Sequence, residues 1–256
     1  MHNPLRPILQ SLARKYLTPV INNLVDDKLL GLIHHQTADQ LFYDVANFAI
    51  YNQIPGDYME FGAYQGDSLA KMYQYLSFQW RTFQEHAAIF DHPIDRSYWD
   101  KIRFLAFDSF AGLPPSSSPD TPIHFSKGGI YAASVDRFQS NILAMGVDPS
   151  KVITISGWFN QILRNELAQQ HSIRAACVIF IDCDLYESAT PVFTFITPIV
   201  HDGTVIIIDD FFRYRGHPQR GVRRAFNEWR QGCPHIGLSK LGQCSANRLA
   251  FVCHLE

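Results

Sequence analysis

Two groups of carboxylates are the residues of this chain best suited to chemistry. Val178-Ile179-Phe180-Ile181 runs straight into Asp182-Cys183-Asp184-Leu185-Tyr186-Glu187, and later Ile206-Ile207-Ile208 runs into Asp209-Asp210. Short apolar, β-branched runs of this kind read as buried strands. Residues two apart on a strand point the same way, so Asp182 and Asp184 are expected to face one site. Adjacent strands of a parallel sheet lie ~4.8 Å apart, which would bring Asp209 and Asp210 within reach of the same cation. Four clustered anions repel unless something compensates them. A hard divalent ion with oxygen ligands, Mg²⁺ most naturally, would do so. The structural alternative is helix capping by Asp184 and Asp210, and it is the weaker one because two independent strands end alike.

Two further strand ends carry polar chemistry. Glu60-Phe61-Gly62-Ala63-Tyr64-Gln65-Gly66-Asp67-Ser68 puts two glycines where a strand must turn into a helix. Such a turn lets backbone approach a ligand, and the helix beginning near Ser68 offers it free N–H groups. The spacing is not G-x-G-x-x-G, so a mononucleoside fits better than a dinucleotide. Phe104-Leu105-Ala106-Phe107 ends in Asp108-Ser109-Phe110, and an acid there is placed to accept hydrogen bonds from ribose hydroxyls. Capping of the next turn by Asp108 is at least as good an account of that residue alone. Arg213, Arg215, Arg220, Arg223, Arg224 and Arg230 crowd the stretch after the fifth run and suit an anionic group, although a solvated helix face explains them more simply. His34, His35 and His217 are candidate bases, each more simply structural.

These ends must be positioned by a sheet. Tyr58–Gly62, Phe104–Asp108, Val152–Ser156, Cys177–Asp182 and Val205–Asp209 alternate with helical patterns over Ser68–Trp80, Trp158–Gln170, Glu187–Val200 and Arg220–Gln231. That alternation predicts five parallel strands with right-handed crossovers, and ligands then bind at the carboxyl ends. Leu238–Gly242 and Arg248–His254 are joined by a polar turn without a helix, which predicts a terminal antiparallel pair. The first 50 residues, with LLGLIHHQ and ADQLFYDVANFAIYN, read as a helical cap over one end. Gly112–Pro122 holds four prolines and three serines. It cannot be helix or inner strand, and residues 112–130 are expected to form a lid loop.

Composition bounds the rest. At 256 residues, 46% hydrophobic and 18% charged, the chain is expected to form a single domain over 1–256 with a sizeable core. A net charge of −2 gives no global field for nucleic acid or anionic lipid. The N-terminal segment, with its prolines and cations, does not read as a secretory leader, and no run of ~18 apolar residues predicts a membrane span. Five cysteines without a C-x-x-C pair fit a reduced, cytoplasmic protein.

Taken in order, Pro55-Gly56-Asp57-Tyr58-Met59-Glu60-Phe61-Gly62, Asp108-Ser109-Phe110-Ala111-Gly112-Leu113-Pro114, Gly157-Trp158-Phe159, Ile181-Asp182-Cys183-Asp184-Leu185-Tyr186-Glu187-Ser188 and Asp209-Asp210 resemble the macrocin O-methyltransferase family, which includes the novobiocin-type deoxysugar O-methyltransferases. The likeness runs from about Pro55 to Trp229. It implies a class I, Rossmann-like methyltransferase that uses S-adenosylmethionine and Mg²⁺ to methylate a sugar hydroxyl. Carried over by position, Asp182, Asp209 and Asp210 would hold Mg²⁺ and Asp184 would be the general base. Glu60, Gly62, Ala63, Tyr64, Ser68, Asp108, Ser109, Trp158 and Asp182 would bind the cofactor. The expected partner is a small sugar-containing acceptor, with neither nucleic acid nor membrane, and homo-oligomer formation is left open. Two other readings compete: a metal-dependent D-x-D glycosyltransferase, and a non-catalytic S-adenosylmethionine-binding protein.

Overall fold

The apolar runs form one sheet. The strands are β1 (Asp57–Phe61), β2 (Phe104–Asp108), β3 (Val152–Ser156), β4 (Ala176–Ile181), β5 (Val205–Ile208), β6 (Ile236–Cys244) and β7 (Arg248–Leu255). Their order is β3-β2-β1-β4-β5-β7-β6, with β1 to β5 parallel and β7 antiparallel to both β5 and β6. The computed structural model describes residues 40–90, 94–115, 128–244 and 247–256. Leu41–Glu256 form a compact unit. The expected arrangement of five parallel strands and an antiparallel pair is present, with β7 wedged between β5 and β6.

β1, β2, β4 and β5 are buried at every residue, as near-continuous apolar runs in a parallel sheet require. Helices cover both faces. On one face lie α1, which runs through residue 51, and α2 (Asp67–Phe90). Phe42 of α1 meets Phe180 of β4 edge-on at 5.3 Å, and Tyr73 of α2 meets Phe104 of β2 at 5.1 Å. After the four-residue α3 (Tyr98–Lys101) and α4 (Val135–Ala144) come α5 (Phe159–Ile162), α6 (Asn165–Gln170), α7 (Tyr186–Ile196) and α8 (Gly221–Gly232). On the opposite face α7 and α8 pack over Phe61, Phe107 and Ile179. Val222, Ala225, Phe226 and Trp229 form the buried stripe of α8 at helical spacing, and Trp229 stacks on Phe193 at 5.3 Å.

Several local expectations change. The helix read as ending at Trp80 continues to Phe90, so part of the stretch from Arg81 to Lys101 is α2 itself. Trp158–Gln170 is two short helices, not one. α4 sits between β2 and β3 where none was foreseen. Of the residues read as a cap, 40–50 belong to α1, and 1–39 fall outside the described residues. Residues 116–127 of the expected lid also fall outside them. Its two roots are described: Leu113 N donates to Ile130 O at 2.8 Å, and Gly129 N donates to Leu113 O at 2.9 Å. The five cysteines are all free thiols. No helix among the described residues is long and apolar enough to cross a membrane.

Candidate active site

The parallel ladder continues one residue past each strand, and this sets the level of the site. Gly62 N donates to Phe107 O, Asp182 N to Phe61 O, Asp209 N to Ile181 O and Gly157 N to Asp108 O, all at 2.8–2.9 Å. The residues following β1, β3, β4 and β5 are thus held in line at the carboxyl edge. The chain winds from β1 outward to β3, then returns to place β4 on the other side of β1. Ligands of open α/β sheets bind at such a reversal. A cavity of about 790 Å³ opens there, lined by Gly62, Tyr64, Asp108, Ser109, Trp158, Asp182, Asp184, Asp210 and Arg213 among others. That volume suits a nucleoside-sized ligand and an acceptor.

Three carboxylates meet in it: single oxygens of Asp182, Asp184 and Asp210 all lie within 4.8 Å of one another. The physical reason differs from the one the sequence suggested. β4 ends at Ile181, so Asp184 is not on a strand. A left-handed backbone at Asp184 (φ 57°) turns the chain back toward the cavity, and Asp210 does the same after β5 (φ 55°). Asp209, expected in the same set, is not one of these three and is held beside them by other partners. Its Oδ1 accepts from Asp210 N at 2.8 Å, and Arg248 Nε and Nη2 both donate to its Oδ2, Nε at 3.1 Å.

Electrostatics follow from burial and crowding. Burial pushes the Asp184 carboxyl up to about 8, helped by Asp210 and opposed by Arg213. The Asp182 carboxyl is raised well above the usual range, first by burial and then by Asp209, Asp184 and Asp210. Arg213 Nη1 lies 2.5 Å from Asp184 Oδ1 and 2.8 Å from Asp210 Oδ2. Of the six arginines in the cluster, Arg213 lines this cavity. Arg224 pairs with Glu228 at 2.8 Å on the face of α8, and Arg223 donates to Gly216 O. His217 is exposed, and His34 and His35 lie outside the described residues.

The expected cofactor residues divide in two. Gly62, Tyr64, Asp108, Ser109, Trp158 and Asp182 line the cavity, whereas Glu60, Ala63 and Ser68 do not. Glu60 is fully buried behind the turn, accepting the Ser68 hydroxyl at 2.5 Å and the Tyr58 hydroxyl. Burial raises it to about 7 against those two hydrogen bonds. Asp108 Oδ2 accepts from Tyr64 N at 2.8 Å and its Oδ1 from Phe110 N at 2.7 Å, so it ties the β1 and β2 loops together. Gly62 stands at φ 101°, and a Cβ there would strike the backbone oxygen of Asp182. The turn therefore needs glycine for the β1–β4 junction itself.

Strand order, glycine turn and acid-ended strands together define a class I methyltransferase fold. Residues 31–234 match the model of the macrocin-O-methyltransferase (TylF) family, so the chain belongs to that family and is an O-methyltransferase. This favours methyl transfer over the glycosyltransferase reading. Among curated relatives, it is 26% identical over 201 residues to 8-demethyl-8-(2,3-dimethoxy-alpha-L-rhamnosyl)-tetracenomycin-C 4'-O-methyltransferase of Streptomyces olivaceus, covering 73% of this chain and 67% of that one. It is 25% identical over 190 residues to demethyldecarbamoylnovobiocin O-methyltransferase of Streptomyces niveus, covering 72% of this chain and 62% of the relative. The solved O-methyltransferase NovP shares the fold with a TM-score of 0.61 at 20% identity, over 84% of this chain and 79% of that one.

Proposed function

We propose that this protein, working as a single methyltransferase domain, moves the methyl group of S-adenosylmethionine to a hydroxyl on a sugar of a glycosylated natural product, with Mg²⁺ as resident cation. The observation that supports this best is the meeting of Asp182, Asp184 and Asp210 within 4.8 Å in the same cavity as the Gly62 turn. The residues fit both groups. Asp182 and Asp210 offer hard oxygen donors that suit Mg²⁺, with Asp209 beside them and Asp184 free to take a proton, and the acids crowded there outnumber Arg213 and Arg248, which lie against them. Asp108 at the end of β2 and Trp158 after β3 face the cavity where a ribose and an adenine would lie.

Once bound, S-adenosylmethionine supplies the methyl as a sulfonium substituent and the cation lowers the acceptor hydroxyl's pKa. Asp184 would take the proton of the acceptor hydroxyl as that oxygen receives the methyl group. Burial and Asp210 raise the Asp184 carboxyl while Arg213 opposes them, and a cation beside it would favour the ionised form that accepts a proton. Gly62, Asp108 and Trp158, which line the cavity, would bind and orient the cofactor, and such positioning would supply much of the remaining acceleration. In this reading the acceptor is a small molecule in the cytoplasm, and neither nucleic acid nor membrane takes part. The name of the tetracenomycin relative describes transfer to a rhamnosyl group, which supports a deoxysugar acceptor here.

Tritiated-methyl transfer to a panel of glycosylated aglycones and nucleotide sugars, with and without EDTA, tests the reading. Transfer should be lost in excess EDTA and regained with Mg²⁺. Full activity in EDTA overturns the metal's role, and absence of S-adenosylmethionine binding by calorimetry overturns the whole.

A further inference from the structure

We propose that Arg248 is a positioning residue that fixes the Asp209 carboxylate behind the acidic cluster and so sets the site's affinity for its divalent cation. The inference rests on the metal-dependent reading above. Arg248 lies outside the family-matched segment 31–234, so family membership assigns it no role.

The placement follows from register. Ile208 of β5 pairs with Leu249 of β7, which puts Arg248 opposite Asp209 across the antiparallel ladder. Phe211 N donates to Asn247 O at 2.8 Å, so the two chains remain tied one step beyond the pair. Arg248 Nε and Nη2 both reach Asp209 Oδ2, while Asp209 Oδ1 is taken by the N–H of Asp210. The carboxylate is thereby fixed from two sides. The guanidinium itself is clamped: Phe42 of α1 and Phe180 of β4 lie with ring centroids 5.1 and 5.0 Å from it. Its side chain is only 18% exposed, against 30% for Arg213.

A buried ion pair is weak evidence for stability, because desolvating both charges cancels much of their attraction. This pair makes better sense as site architecture. Arg248 also offsets part of the rise that burial causes in the carboxyls of Asp182 and Glu60. It is thus the fixed cation beneath the cluster, whereas Arg213 sits in the cavity wall where a metal would meet it. Outer partners that orient metal-site carboxylates typically change affinity 10–100-fold when removed.

The test is calorimetric titration of Mg²⁺ and Mn²⁺, with the Mn²⁺ electron paramagnetic resonance spectrum recorded, on wild type, Arg248→Lys and Arg248→Met. Lys keeps the charge and loses the planar fork; Met loses both. S-adenosylhomocysteine affinity is measured in parallel. Both variants should bind metal 10–100-fold more weakly, with an altered Mn²⁺ spectrum and unchanged S-adenosylhomocysteine affinity. Wild-type metal affinity and spectrum in Arg248→Lys overturn the proposal, and so does a proportional loss of both ligands. If neither Arg248 variant folds, Phe42→Leu loosens the clamp without touching a charge. Metal affinity should then fall several-fold, and an unchanged value overturns the proposal. A wild type that binds neither Mg²⁺ nor Mn²⁺ removes the metal-dependent reading, and this inference with it.

Discussion

Asp184 and Asp210 leave different strand ends in the same left-handed backbone conformation, at φ 57° and 55°, and share one guanidinium nitrogen of Arg213. Each backbone is of a kind that non-glycine residues adopt at a cost of order 1–3 kcal/mol, so the fold around them must over-determine both. Two such acids converging on one point indicate a site selected for what it binds. The first expectation is that Asp210→Asn loses divalent metal by at least the 10–100-fold that loss of an outer partner costs. Calorimetry with Mg²⁺ checks it, and wild-type affinity in the variant would remove Asp210 from the ligand set.

Asp184 is separable from its neighbours by the proton it takes. Asp184→Asn keeps size and polarity but cannot act as base, so kcat should fall roughly 10²-fold or more while Mg²⁺ and cofactor affinities hold. Stopped-time methyl transfer with parallel titrations checks this. Because Asp184 also lies within the 4.8 Å cluster, loss of metal in this variant would mean that it is a ligand and that the base is elsewhere.

The sheet was readable because each buried strand is a continuous apolar run ending in a residue that breaks the pattern: Phe61 before Gly62, Ile181 before Asp182, Ile208 before Asp209. Those same breaks mark the site. Contacts made across the chain were not readable. Nothing local to Asp209 shows that Arg248, 39 residues on, will lie opposite it; that depends on β7 inserting beside β5. The turn geometry of Asp184 was hidden for a related reason, since the strand rule of alternating faces stops at Ile181. α4 was missed because Val135–Ala144 buries only Phe138 and Ile142, too sparse a stripe to outweigh its polar residues.

Gly62 illustrates how a site glycine can be structural. A Cβ at position 62 would collide with the Asp182 backbone oxygen, in a conformation (φ 101°) that side chains resist. Gly62→Ala should therefore cost more than about 1 kcal/mol of stability, lowering the melting temperature as well as S-adenosylhomocysteine affinity. A variant with wild-type melting and weakened cofactor binding would instead return the constraint to the ligand.

Glu60 makes a pH-dependent contribution. Its folded pKa is raised to about 7 from an ordinary value near 4.5, chiefly by burial. The folded state therefore holds the proton more tightly than the unfolded chain, and the associated stability is full below about pH 4.5 and lost as pH rises through 7. The shift corresponds to about 3 kcal/mol at most. Glu60→Gln, which stays neutral, should gain on wild type in denaturant midpoint between pH 5 and pH 8. Parallel curves across that range would show that Glu60 titrates alike in both states.

Arg213 and a metal ion would compete for the same oxygens. Its Nη1 occupies Asp184 Oδ1 and Asp210 Oδ2, two residues of the three-acid cluster, and its side chain is 30% exposed, so it can swing out of the way. Arg213→Met removes the competitor but also the cation that compensates the cluster when no metal is bound. The metal-free variant should melt lower than wild type, because the crowded acids then lose the cation that lies against Asp184 and Asp210. Its affinity for Mg²⁺ should rise several-fold, and Mg²⁺ should raise its melting temperature by more than it raises that of wild type. Thermal melts over a Mg²⁺ series, at fixed ionic strength, measure both effects at once. Weaker Mg²⁺ binding in Arg213→Met would show that Arg213 supports the metal rather than standing in its place.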